Sequence, residues 1–161
     1  MFDEHALSRR RFLITGMIGG GAVLLSPVLP FRAIAQTADE ATALVNTIRR
    51  QYKVAEMLPD ARLEEAALYQ ARLMAKHRKI GHSIGWGNTF TGRLKQAGIR
   101  GPAAENVASG QKDVADVLKA WLNSAGHRKN LLDPVFTRFG LSSAINAEKP
   151  NYRYWAMLYG I

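Results

Sequence analysis

Cysteine is absent from all 161 positions, which excludes a disulfide framework, a thiolate zinc site, an iron–sulfur cluster and a cysteine nucleophile. Any metal would have to be held by nitrogen and oxygen. Acidic residues are scarce as well: 13 Asp and Glu against 22 Lys and Arg give a formal charge of +9, which favours anionic partners and says nothing about fold. Internal repeats and low-complexity tracts are missing. With 47% hydrophobic and 22% charged residues, the chain has the composition of one ordinary globular domain. The basic excess is scattered, without a clustered stripe, a ribonucleoprotein signature or a recognition helix, so no nucleic acid partner is expected. An anionic envelope component or a lipid head group suits the charge better.

The N-terminus is the first positive signal. Ser8-Arg9-Arg10-Arg11-Phe12-Leu13 is followed by an uncharged run to Phe31 and then by Ala33-Ile34-Ala35. Basic region, apolar region and small-x-small site, in that order, are the plan of an export signal, and the paired Arg9 and Arg10 resemble the twin-arginine type. Residues 1–35 are therefore expected to be an export signal and residues 36–161 the working domain. The alternative is a retained anchor, since the run to Phe31 is just long enough to span a bilayer of about 30 Å. Against it stand Gly16, Gly19-Gly20-Gly21, Pro27 and Pro30, which weaken a helix. The first 35 residues hold four arginines and two acids, so 18 basic and 11 acidic residues remain after cleavage, and no stable membrane span is expected then.

Helical periodicity is expected from Asp39 to Val54, through Ala41, Leu44, Val45, Ile48 and Tyr52, with Arg49, Arg50 and Lys53 at the end that suits the helix dipole. Leu58-Pro59-Asp60 reads as punctuation, with Asp60 as the N-cap of a second helix carrying Leu63, Ala66, Ala67, Gln70, Leu73, Met74 and His77. Gly81 to Asn88 reads as an exposed loop, and Asn88 or Thr89 can cap a short helix ending at Gly98. A short strand over 103–108, a helix over 113–123 stopped by Ser124-Ala125-Gly126, a turn or helix over 127–132, and strands over 139–145 and 152–159 joined by a turn at 146–151 complete the chain. Helices first and strands last indicate an α+β domain. Trp121, Trp155, Phe139 and Tyr154 lie in apolar-periodic stretches and read as core.

Chemistry centres on three histidines outside the signal. His77 sits among cations at a helix end and reads as a surface group. His82 and His127 are each glycine-flanked, in Gly81-His82-Ser83 and Gly126-His127-Arg128, where backbone freedom permits an exposed imidazole. Glu105 interrupts an apolar stretch, so its carboxylate must find donors or open onto a cleft. Spacings of 23 and 22 residues make no local motif of these three, and no His-Glu-x-x-His helix occurs. Were folding to gather them, two imidazoles and a carboxylate could hold Zn²⁺ with one position open, or relay a proton without metal. Trp86, between Gly85 and Gly87, could line a ligand entrance beside His82 or anchor its loop. Ser124, Arg128 and their neighbours could wall a cleft, with Arg128 pairing an anion, or could cap helix ends.

Six pieces in order carry a resemblance: Leu63-x-x-Ala66-Ala67 with Met74-Ala75; His82; Ala104-Glu105-Asn106-Val107-Ala108-x-Gly110; Trp121-Leu122-Asn123-Ser124-x-Gly126-His127-Arg128-x-Asn130-Leu131-Leu132; Phe136-Thr137-x-x-Gly140; and Tyr154-Trp155. From about Leu44 to its end the chain resembles the bacterial branch of the CAP superfamily, the SCP-like domains of cysteine-rich secretory, antigen 5 and pathogenesis-related 1 proteins. The resemblance implies a three-layer α-β-α sandwich whose cleft gathers two histidines and two glutamates, with His82, Glu105 and His127 in three of those places. Ser124 stands where many members have the second glutamate, and a neutral hydroxyl is neither a general base nor a replacement for its charge.

The expectations that follow are an exported envelope domain whose His82, His127 and Glu105 bind a divalent cation, zinc foremost, together with a small or lipidic ligand, in a cleft lined by Ser124, Asn106, Arg128 and Trp86. One alternative is a metal-assisted hydrolase of peptide or cell-envelope bonds with Glu105 as the catalytic base. The other is a partner-recognition module with a structural polar cluster.

Overall fold

The computed structural model describes the backbone of residues 31–161 and side chains from Asp39 onward. The twin-arginine segment and most of the uncharged run lie outside the described residues. The elements are α1 Phe31–Gln51, β1 Leu58–Pro59, α2 Ala61–His77, α3 Phe90–Gln96, β2 Ala104–Ser109, α4 Val114–Leu122, α5 Ala125–Leu132, β3 Arg138–Asn146 and β4 Lys149–Gly160. The strands form one sheet in the order β1-β3-β4-β2, antiparallel except for the parallel β1–β3 pair.

Strand β4 explains the layering. Its residues alternate faces, as a strand must. Trp155, Met157 and Tyr159 pack with Val45, Val117, Leu118, Trp121 and Leu131 of α1, α4 and α5. Tyr154, Ala156 and Leu158 pack with Leu63, Ala67, Ala71 and Met74 of α2, and Leu94 of α3 packs against the same cluster. Two cores on opposite faces of one sheet make an α-β-α sandwich, the α+β fold expected. The four aromatic residues read as core, Trp121, Trp155, Phe139 and Tyr154, are all buried.

Side-chain caps start the helices where the sequence suggests. Asp60 accepts from the backbone N–H groups of Arg62 and Leu63, Thr89 Oγ1 from Gly92 and Asp113 from Asp116. Several boundaries differ from expectation. Helix α1 begins at Phe31 rather than Asp39 and stops at Gln51 rather than Val54, because Lys53 takes a left-handed φ of 58° and Val54 N–H turns back to the Arg49 carbonyl. Leu58-Pro59, read as punctuation, is an edge strand: Leu58 N–H donates to Thr137 and Asp60 N–H to Phe139, so the missing proline donor between them costs the sheet nothing. Strand β4 begins at Lys149, so the hairpin turn is shorter than 146–151. The fourth helix stops before Ser124 as expected, and Ser124 to Gly126 at once open α5, which places His127 in its first turn.

Arg49, read as one of three cations at the end of the helix that suits its dipole, is wholly buried. Its guanidinium donates to the carbonyls of Ala55 (2.6 Å), Leu131 (2.9 Å), Asp133 (3.2 Å) and Phe136 (3.2 Å), tying α1 to the C-terminal end of α5. The Leu131 and Phe136 carbonyls accept in buried surroundings, where an acceptor needs a donor, and a cation at a helix C-terminus also meets the favourable end of its dipole.

At Gly140 the backbone of α2 comes close against β3. A Cβ there would stand 2.0 Å from the Glu64 nitrogen and 2.2 Å from the Leu63 carbonyl carbon. Backbone cannot yield as a side-chain tip can, so Gly140→Ala is expected to lower unfolding free energy by about 3 kcal/mol or more, the upper range for overpacking. Urea denaturation followed by circular dichroism measures this, and a loss below about 1 kcal/mol would show that α2 shifts easily off β3.

Candidate functional site

Glu105 lies on β2 opposite Leu158 of β4, and directly opposed residues of an antiparallel pair share a face. Its side chain therefore points to the α2–α3 layer, where it is 2% exposed. There it finds donors. Arg93, also 2% exposed, places Nη2 2.5 Å from Oε1, and His82 places Nδ1 2.9 Å from Oε2. Arg93 Nη1 further donates to the His82 carbonyl and to Asn88 Oδ1, both at 3.1 Å. Asn88 Nδ2 donates to the Ile84 carbonyl at 2.8 Å and to Gln70 Oε1 at 3.0 Å, and Gln70 Nε2 donates to the Gly81 carbonyl at 2.5 Å. The loop that reads as free in sequence is thus pinned from inside at Gly81, His82, Ile84 and Asn88. The His82 imidazole itself remains 55% exposed.

Asn106 follows Glu105 and, by strand alternation, faces the opposite layer. It is fully buried rather than cleft-lining. Its Nδ2 donates to the His127 carbonyl at 3.0 Å and to the Tyr159 hydroxyl oxygen at 2.8 Å, and its Oδ1 accepts from Asn130 Nδ2 at 2.9 Å. Burial holds the Tyr159 phenol well above its ordinary pKa of 10.0, so it stays protonated. His127 is half-buried, with its ring 6.5 Å from that of Trp121. Desolvation, followed by the nearby charge of His82, lowers its pKa below the ordinary 6.5. The two imidazoles therefore feel each other at the β2 edge, although one is held by Glu105 and the other through Asn106.

His82 and Glu105 are in direct contact, and His127 joins them only through the neighbouring residue of β2. Among the described residues no group of three or more His, Cys, Asp and Glu side chains is arranged to hold a metal ion. Arg128 spends Nη1 on the Leu122 carbonyl at 2.8 Å, closing the end of α4. Ser124 occupies the N-cap position of α5 without a side-chain cap bond. Trp86 is fully exposed, so it neither packs over His82 nor anchors the loop. Sequence reading passed over Arg93, offered Asn88 as a helix cap where Thr89 serves, and placed Gln70 on a helix without this role. The only signal for Arg93 was the unpartnered carboxylate of Glu105, which required a cation from somewhere.

A family model, the cysteine-rich secretory protein (CAP) family, matches residues 42–159. The chain belongs to the CAP family. Among curated proteins it is similar to the uncharacterized protein YkwD of Bacillus subtilis, 37% identical over 100 residues. That match takes in 61% of this chain and spans 38% of the length of the relative. Among solved structures, an outer surface protein from Borrelia burgdorferi matches 78% of this chain and 92% of its own at 22% identity with a TM-score of 0.68. An extracellular SCP-domain protein from Bacillus anthracis matches 83% of this chain and 44% of its own at 25% identity with a TM-score of 0.67. No helix among the described residues of this CAP domain is long and apolar enough to cross a membrane.

The buried Arg93–Glu105 pair makes a stability prediction. Removing one partner leaves an uncompensated buried charge, so Glu105→Leu and Arg93→Leu should each lose about 3–5 kcal/mol in urea unfolding. The double variant should lose much less than the sum, and additive losses would mean that the two groups act separately.

Proposed function

We propose that this CAP domain is exported and that His82 and His127 together take a divalent cation, zinc foremost, at the edge of β2. The observation that carries the reading is the arrangement behind His82. Glu105 accepts from Nδ1 and is itself clamped by Arg93, which turns the Nε2 lone pair of an exposed imidazole outward. A carboxylate fixing the tautomer and orientation of a metal-binding histidine is the common outer arrangement of such sites. The lowered pKa of His127 adds to it, because a neutral imidazole is the ligand form.

The donor set fits an open site, with two protein nitrogens and the remaining positions filled by water or by a ligand. Such a site binds more weakly than a closed four-ligand zinc site. When bound, the metal would supply Lewis acidity and attract anionic or carbonyl oxygens. Glu105 serves here as the orienting group rather than as ligand or general base, since both its oxygens are engaged and nearly inaccessible. That weighs against the hydrolase reading. Export rests on Arg9-Arg10 and the apolar run after them, and the extracellular and outer-surface descriptions of the structural relatives agree with it.

Zinc titration of the folded protein tests the site. One equivalent should bind to the wild type and be lost in His82→Ala/His127→Ala, while Glu105→Gln should weaken it about 10–100-fold. Unchanged binding in the double histidine variant would end the proposal. The pH dependence has a fixed sign. The folded state holds His127 neutral below the pH at which the unfolded chain protonates it, so stability and zinc affinity should both fall as pH drops through and below 6.5. Calorimetric melting and zinc titration across that range measure the two effects.

A further inference from the structure

Although the positive excess is spread over the chain, its acids are not. Between Ala66 and Ala104 there are seven lysines and arginines and no aspartate or glutamate. Two of the seven meet carboxylates from outside the stretch, Arg93 with Glu105 and Arg78 with Glu148. Lys76 and Lys79, at and just beyond the end of α2, are exposed and make no ion pair with a described residue. Ile80 follows them, 48% exposed.

The Trp86 loop rises beside this segment. A Cβ on Gly85 would lie 4.0 Å from His77 Nε2, so the loop tip stands against the basic end of α2. Gly85 and Gly87 adopt φ of 88° and 72°, values that L side chains avoid, and this turn presents Trp86 to solvent. The other two tryptophans, Trp121 and Trp155, are buried in the core. A tryptophan carries about 150–250 Å² of largely apolar surface, and here the protein leaves it uncovered.

We propose that the Trp86 loop and the Lys76–Ile80 segment dock this domain on an anionic lipid bilayer, with the indole and Ile80 in the interfacial layer and Lys76 and Lys79 against the head groups. Cations alone would serve an anionic polymer equally well. The exposed indole and isoleucine gain only where an apolar phase is at hand, and an indole with its one polar N–H suits the boundary between head groups and acyl chains. Docking goes beyond the metal reading and needs no metal, so its test is run with chelator present.

The full chain is mixed with vesicles of phosphatidylglycerol and phosphatidylcholine containing brominated acyl chains, and tryptophan emission is followed. Residues 1–35 contain no tryptophan, and Trp121 and Trp155 are buried, so the signal reports Trp86 even where the N-terminal segment also binds lipid. The expected result is a blue shift and quenching on anionic vesicles, both absent in Trp86→Ala, whose fold should be intact because nothing packs on the ring. Lys76→Glu/Lys79→Glu should raise the lipid concentration for half-maximal quenching about fivefold or more, as should high salt. Absent quenching of the wild type, an equal signal from Trp86→Ala, or indifference to lipid charge would overturn the proposal. So would binding to a soluble polyanion without quenching on vesicles.

Discussion

Two adjacent residues on an edge strand organise this site. Glu105 and Asn106 point to opposite faces of β2 because successive side chains of a strand must, and each takes charge of one histidine. Glu105 holds the His82 ring through Nδ1, whereas Asn106 holds the His127 backbone through its carbonyl. The carboxylate is tolerable in the core only because Arg93 supplies a buried counter-charge, and Arg93 is useful only because its other nitrogen fixes the loop that bears His82. Burial, pairing and positioning here are one arrangement.

The same logic operates on the other side of the sheet with different chemistry. Arg49 answers four main-chain carbonyls around the end of α5 and thereby fixes the helix whose first turn carries His127. Burial lowers its pKa from the ordinary arginine value, with Tyr159 and Asp133 pulling the other way. Tyr159 in turn accepts from Asn106. A chain without cysteine thus ties its irregular segments together with arginine and asparagine side chains rather than disulfides.

Much of the fold was legible because its signals are local. Asp60, Thr89 and Asp113 cap helices within three residues of themselves, and the aromatic alternation of β4 falls on two faces in plain view. Gly98 ends α3 as a glycine should, but α1 and α2 turn left-handed at Lys53 and Arg78, residues that give no such cue. Strand β1 is two residues long and contains proline, too little for any periodicity. In the site, His82, Glu105 and His127 stood out by residue type and were joined by resemblance. Arg49 and Arg93 did not stand out, since an arginine near a helix end ordinarily points to water. Their roles depend on partners 82 to 87 residues away for three of the four Arg49 bonds and 12 away for Glu105 with Arg93, which no spacing in the sequence announces.

The account depends most on which nitrogen of His82 carries the proton. Glu105 accepts from Nδ1, so the neutral ring should be the Nδ1–H tautomer with Nε2 bare. Long-range ¹H–¹⁵N correlation of the histidine side chains in the metal-free protein at alkaline pH reads this directly. A protonated Nδ1 and an unprotonated Nε2, reverting toward the ordinary tautomer mixture in Glu105→Gln, is the predicted result. A proton on Nε2 in the wild type would mean that Glu105 does not orient His82, and the outward-facing metal ligand would be lost with it.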